Sequence, residues 1–192
     1  MEYLHAKVIA DNLVQQLAPF CEVIKIAGSI RRQSAVVKDV EIVCLPKKTM
    51  LKDMFGWDEG VIVDIGFINQ VQNLGRPIKG NAEGKYMQIE LPSGFKLDLF
   101  MPAAHDYYRQ LAIRTGPAEF SHRAIAIGWI RKGWVGTEQG LRRSTQCVKK
   151  GEKWVCTVAH PDLPPVWSSE QEFFRWVGLK YLQPGERGLV AI

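Results

Sequence analysis

The tightest constraint on this chain is a hairpin. Tyr86–Leu91 and Phe95–Met101 read as two strands joined by Pro92-Ser93-Gly94, three turn-forming residues. Side chains alternate along a strand. Phe95, Leu97, Leu99 and Met101 therefore share one face of the second strand, while Lys96, Asp98 and Phe100 share the other. An acid, Asp98, thus stands between apolar neighbours on a strand.

Other elements arrange themselves around this hairpin. Ala6, Ile9, Ala10, Leu13 and Leu17 fall on one stripe, which predicts an amphipathic helix over 2–18, ended by Pro19. Val23–Ala27, Val40–Leu45 and Val61–Ile65 read as short strands, Thr49–Phe55 as a weak helix and 72–85 as a loop. Beyond Pro102 the pattern turns helical, with helices expected over His105–Arg114 and Pro117–Arg131. Two strand-like runs within 141–159 flank Lys149-Lys150-Gly151-Glu152. Ser168-Ser169-Glu170-Gln171-Glu172 is a capping box leading into Phe173–Val177, stopped by Gly178. The expectation is an α+β protein with a division near residue 102: a small mixed sheet flanked by helices over 1–102, then a smaller helical and β unit over 103–192.

Composition excludes more than it assigns. Hydrophobic residues make up 46% and charged residues 23% of 192, so a core can form without disulfide or metal staples. The formal net charge of +5 is compatible with a polyanionic partner without requiring one. There is no signal-peptide pattern and no apolar run long enough to span a bilayer, so a cytoplasmic protein with reduced thiols is expected. Cys147, Cys156 and His160 match no common zinc spacing; two cysteines facing each other across a hairpin is the simpler reading.

Chemistry concentrates in the first half. Asp39 and Glu41 stand two apart on a strand, so both carboxylates leave the same face, roughly 6–7 Å apart at the backbone. Two short acids so placed can share a hard cation such as Mg²⁺, which takes oxygen ligands and leaves positions for water and substrate phosphates. Alone, an Asp-x-Glu strand is as readily a solvated edge, and a lone Asp98 is as readily surface. Their context differs. Gly28-Ser29 closes a strand ten residues earlier, and Arg31-Arg32 follows at once. Glycine lets backbone approach an anion, serine adds a hydroxyl, and arginine adds a charge-assisted fork.

Ala27-Gly28-Ser29-Ile30-Arg31-Arg32 followed by Lys38-Asp39-Val40-Glu41-Ile42-Val43 resembles the nucleotidyltransferase signature of X-family DNA polymerases, the group typified by DNA polymerase β. Lys96-Leu97-Asp98-Leu99-Phe100 resembles the segment carrying the family's third acid, and Arg114-Thr115-Gly116-Pro117 through Ser121 its Thr-Gly motif. The ending from Glu170 to Arg187 resembles the family's C-terminal segment. The likeness runs from about residue 3 to 187. Gly-Ser with acid-x-acid is common to many nucleotidyltransferases; the Thr-Gly segment and the ending narrow it.

The resemblance implies a palm domain over 1–102 and a thumb over 103–192, and a DNA-directed DNA polymerase that adds dNTPs to a primer 3′-OH in gap filling or short extension during DNA repair. Asp39, Glu41 and Asp98 would be catalytic and hold two Mg²⁺ ions, with Mn²⁺ an alternative. Gly28, Ser29, Arg32 and Lys38 would meet the triphosphate of a dNTP, and Thr115, Gly116 and Ser121 its sugar and base pair. Primer–template or gapped DNA is the implied partner of a monomer. Arg131, Lys132, Arg142, Arg143, Lys149, Lys150 and Lys153 form a plausible phosphate-tracking surface as a group, although each singly reads as solvated charge. Trp129, Trp134, Trp154 and Trp176 could stack on bases or fill a core.

Departures from the family pattern carry their own expectations. The second acid is Glu41 where the best-known members have Asp. Lys38 stands where Gly is frequent. Ile113-Arg114 replaces an aromatic pair that helps exclude a ribose 2′-OH, so rejection of ribonucleotides is expected to be weak. Two residues before the first helix leave no room for a lyase domain or DNA-gripping fingers. Two other readings stay open: a template-independent transferase acting on RNA, protein or a small molecule, and a non-catalytic DNA-binding relative, against which the intact acid trio argues.

Overall fold

The computed structural model describes residues 1–52 and 58–188. The protein is α+β, with a mixed sheet flanked by helices. Helix α1 (Tyr3–Leu17) buries Ala6, Ala10, Leu13 and Leu17, the stripe its periodicity predicts. Strands β1 (Cys21–Ile26) and β2 (Val40–Pro46) pair antiparallel, separated by a one-turn helix α2 (Gly28–Arg31).

Two segments depart from expectation. Thr49–Phe55, read as a weak helix, begins instead within strand β3 (Lys48–Lys52), which pairs with β4 (Asp58–Val63); the rest of that segment lies outside the described residues. The expected strand Val61–Ile65 stops at Val63, because Asp64 caps a helix α3 (Ile65–Asn73), its carboxylate accepting from the Phe67 N–H at 3.2 Å. Burial of Phe67 and Val71 against the core holds that helix.

The stretch 72–85, read as a loop, contains an edge strand β5 (Arg76–Gly80). Pairing with β6 (Tyr86–Glu90) makes it a strand, not its own propensity. Pro77 is tolerated because the strand lies at the sheet edge. The predicted hairpin forms, β6 pairing with β7 (Lys96–Phe100). The five-stranded sheet has the order β1-β2-β7-β6-β5. The β2–β7 pair at its centre is parallel and its other pairs antiparallel.

Beyond Pro102, helix α4 (Tyr107–Thr115) leads to a run of α5 (Ala118–Phe120), a π-helical turn (Ser121–Ala126) and α6 (Ile127–Arg131). Strands β8 (Trp134–Thr137), β9 (Gly140–Arg143), β10 (Cys147–Lys150) and β11 (Lys153–Cys156) form a second sheet, ordered β10-β11-β8-β9. The two expected strand-like runs are β10 and β11, whereas the β8–β9 hairpin around Glu138-Gln139 was not expected. Cys147 and Cys156 lie directly opposite each other as free thiols, the cross-hairpin arrangement expected of them. Helix α7 (Glu170–Val177) starts with Ser169 Oγ accepting from the Glu172 N–H at 3.1 Å and ends at Gly178, whose φ of 83° suits glycine.

The largest core cluster draws its buried residues from Ala6 to Met101, and a second from Ala112 to Val177. A third, smaller cluster joins them: Val43 and Phe100 from the sheet and Ala27, just beyond β1, meet Tyr107 and Leu111 of α4.

Candidate active site

The parallel β2–β7 pair decides where the acids lie. Its register sets Glu41 beside Asp98, so two carboxylates distant in sequence become cross-strand neighbours. Asp39 does not belong to the strand, as its spacing suggested; it occupies the bend just ahead of Val40. The three carboxylates are electrostatically coupled. Burial, then repulsion from Asp39 and Asp98, pushes Glu41 up to about 7 despite Arg32 and Arg114 nearby. Burial and Asp98 also raise Asp39, with Lys38 and Lys96 opposing. Mutual repulsion among like charges is the state that a bound cation relieves.

The Gly-Ser bend is built against this acid strand. The Ala27 N–H donates to Glu41 O at 2.7 Å. Gly28 has φ 61°, and a Cβ there would overlap the Glu41 carboxylate. Glycine is thus required by Glu41 itself, beyond any approach to phosphate. Ser29 is half-buried in the first turn of α2, Arg32 follows that turn, and Lys38 is exposed beside Asp39. Arg32 donates through Nη1 to the Thr115 carbonyl. Burial lowers the pKa of its guanidinium while the nearby Glu41 carboxylate partly offsets that.

The Thr-Gly segment has a structural role. Thr115 is fully buried; its hydroxyl donates to Leu111 O at 2.7 Å and accepts from Arg31 Nη1 at 2.7 Å. Arg31 also makes a forked pair with Glu170 (3.1 and 2.8 Å), and Arg187 contacts the same carboxylate at 3.0 Å. Gly116 sits beside the Arg32 guanidinium. Ser121 Oγ donates to Ile113 O at 2.9 Å, so its side chain is already engaged.

Several residues near the acids escaped the sequence reading. A cleft of about 590 Å³ is walled by Glu41, Asp98, Tyr86, Lys79, Lys85 and Arg114 on one side and by the β8–β9 turn on the other. The Tyr86 hydroxyl and the Gln88 amide both donate to Asp98 Oδ1, at 2.6 and 2.8 Å. The Arg114 guanidinium lies 4.1 Å from the centre of the Phe100 ring. Gln88 could have been found by register, since it lies opposite Asp98 in the hairpin. Lys85 donates to Glu138 O at 2.8 Å and so bridges the cleft mouth, a tertiary contact without sequence signal.

The basic residues divide. Arg131 and Lys132 at the end of α6 and Lys149 and Lys150 on β10 are exposed. Arg142 corrects the expectation of a phosphate contact: it is 7% exposed and donates to Leu141 O at 2.7 Å. Arg143 lies over the Trp134 ring at 4.3 Å, and Lys153 pairs with Glu138 at 2.8 Å. Trp129 and Trp134 are buried, and Trp176 packs edge-on against Trp134. These three tryptophans serve the second core.

Glu41 and Asp98, side by side on paired strands, offer only oxygen donors, the ligand type that Mg²⁺ and Mn²⁺ take; Asp39 is not gathered with them into a set of three. Among the described residues, no three Asp, Glu, His or Cys side chains form a ready-made metal cage. An ion here would complete its coordination with water and substrate oxygens. No described helix is long and apolar enough to cross a membrane. The chain matched no protein-family model and none of the curated proteins it was compared with.

Proposed function

We propose that this protein is a template-directed DNA polymerase of the X-family type, with a palm over 1–102 and a thumb over 103–192. It would extend a primer 3′-OH by nucleotidyl transfer on gapped or primed DNA. The observation carrying this reading is Glu41 set beside Asp98 on parallel strands at the wall of the cleft, with Asp39 in the bend just ahead of Glu41's strand. The Gly-Ser bend and Arg32 adjoin that floor, in the order the family resemblance implies.

Asp39, Glu41 and Asp98 would hold two divalent cations, which when bound supply the charge that stabilises the entering and leaving oxygens of an in-line displacement. Asp98 lines the cleft, where it can orient the attacking hydroxyl. Arg32, anchored on Thr115 O, presents a fixed positive charge to phosphate oxygens. Positioning and charge neutralisation supply most of the rate in such transfers.

The test is incubation of the protein with gapped DNA, Mg²⁺ and single nucleotides. Insertion of only the complementary dNTP is expected. Equal insertion of all four would make it a template-independent transferase, and no insertion of any nucleotide would end the reading. With Ile113-Arg114 in place of an aromatic pair, preference for dNTP over rNTP should stay below about 100-fold; competition assays measure it.

A further inference from the structure

We propose that Tyr86 and Gln88 are positioning residues that commit one oxygen of Asp98 to the protein and leave the other for the reaction; this rests on the reading above. Both donors meet Oδ1, from the Tyr86 hydroxyl at 2.6 Å and the Gln88 amide at 2.8 Å. A carboxylate oxygen offers about two acceptor sites, so Oδ1 is saturated. Oδ2 receives no hydrogen bond among the described residues. The carboxyl group therefore has one fixed rotation and one free oxygen.

The fold holds both donors in place. Gln88 is the cross-strand partner of Asp98 in the β6–β7 pair, and Tyr86 is two residues along on the same face. The Tyr86 ring packs on Phe100, with centroids 5.1 Å apart, and the Arg114 guanidinium covers Phe100. Packing on Phe100 restrains the Tyr86 ring and keeps its hydroxyl on Asp98. Partners that orient a metal ligand in this way commonly change metal affinity or activity about 10- to 100-fold when removed.

The experiment compares wild type with Tyr86→Phe, Gln88→Met and the double variant, each also in an Asp98→Asn background. Mn²⁺ alone is the probe, its free concentration read by electron paramagnetic resonance. The double variant should bind Mn²⁺ about tenfold more weakly, with its melting temperature retained and no further loss in the Asp98→Asn background. In primer extension, kcat should fall while KM for the primer–template stays constant. Unchanged Mn²⁺ binding, or an equal loss in the Asp98→Asn background, would overturn the proposal. If wild type binds Mn²⁺ through Asp98 in this way yet extends no primer, the polymerase reading fails and the positioning role stands. If it extends primers while the variants behave as wild type, only the positioning role fails.

Discussion

At the candidate site Asp39, Glu41 and Asp98 repel one another, whereas a second cluster sets Glu170 between Arg31 and Arg187 as a seam. Glu170 and Arg187 are buried, whereas Asp39, Glu41 and Asp98 are half-buried. In the seam, burial alone would raise Glu170, but the two arginines outweigh it and hold the carboxyl below its ordinary range. The Arg187 guanidinium also lies over Phe174, 4.7 Å from the ring centre. At the candidate site Arg32 and Arg114 oppose the shift without outweighing burial and repulsion, and Glu41 is driven up to about 7. The seam spends its charges joining α2 to α7 and the C-terminal segment. The cleft keeps its repulsion, which only something arriving from outside can relieve. Matched charge marks architecture here, and unmatched charge marks the candidate site.

The sharpest way to break this contrast is to neutralise each side. Asp98→Asn, Asp39→Asn and Glu41→Gln should each reduce primer extension by a factor on the order of 10³ or more, since charge stabilisation is the largest single contribution to such catalysis. Their melting temperatures should stay level or rise, because repulsion is removed. Extension assays and thermal unfolding check both halves, and wild-type rates in any of the three would dissolve the site.

Glu170→Ala should do the reverse. It strands the buried Arg187 guanidinium and unpairs the half-buried Arg31, and should cost about 3 kcal/mol of stability, measured by urea unfolding. A loss under 1 kcal/mol would show that the seam is not a tie.

The two groups should also answer pH in opposite directions. Glu41 titrates near 4.5 when unfolded and near 7 when folded, so the native state binds the extra proton. Its contribution is fully present below about pH 4.5 and fades as pH rises to about 7, on the order of 2 kcal/mol. Glu170, held low by its arginines, contributes above its unfolded value and loses that contribution as pH falls through its lowered one. Unfolding free energies from pH 3 to 8 should show Glu41→Gln flattening the upper range and leaving the acid limb in place.

The smallest effect concerns the exposed lysines. Lys149→Gln with Lys150→Gln should lower the salt slope of DNA binding by about two. Fluorescence anisotropy at several salt concentrations measures it, and an unchanged slope removes β10 from the DNA path.

Much of this was legible before folding. Helix α1, the β6–β7 hairpin and the cap and stop of α7 follow from periodicity, turn residues and capping chemistry, which act over a few residues. Glu41 and Asp98 were legible as acids on strands, whereas Asp39, expected on the same strand as Glu41, lies in the bend ahead of it. Strands β3 and β5 were not, since pairing partners rather than composition made them strands. Arg142 read as a surface cation until the second sheet buried it.

By itself, then, the chain's order of residues determined its local elements and which side chains could carry oxygen donors. Only the tertiary structure decided that β2 and β7 run parallel with Glu41 against Asp98, that Tyr86 and Gln88 turn onto one oxygen, and that Arg31 faces Glu170. Those contacts join residues 10 to 139 positions apart. The longest of them, like the parallel pairing, have no local signature, because their energy appears only when two distant segments exclude water from between them.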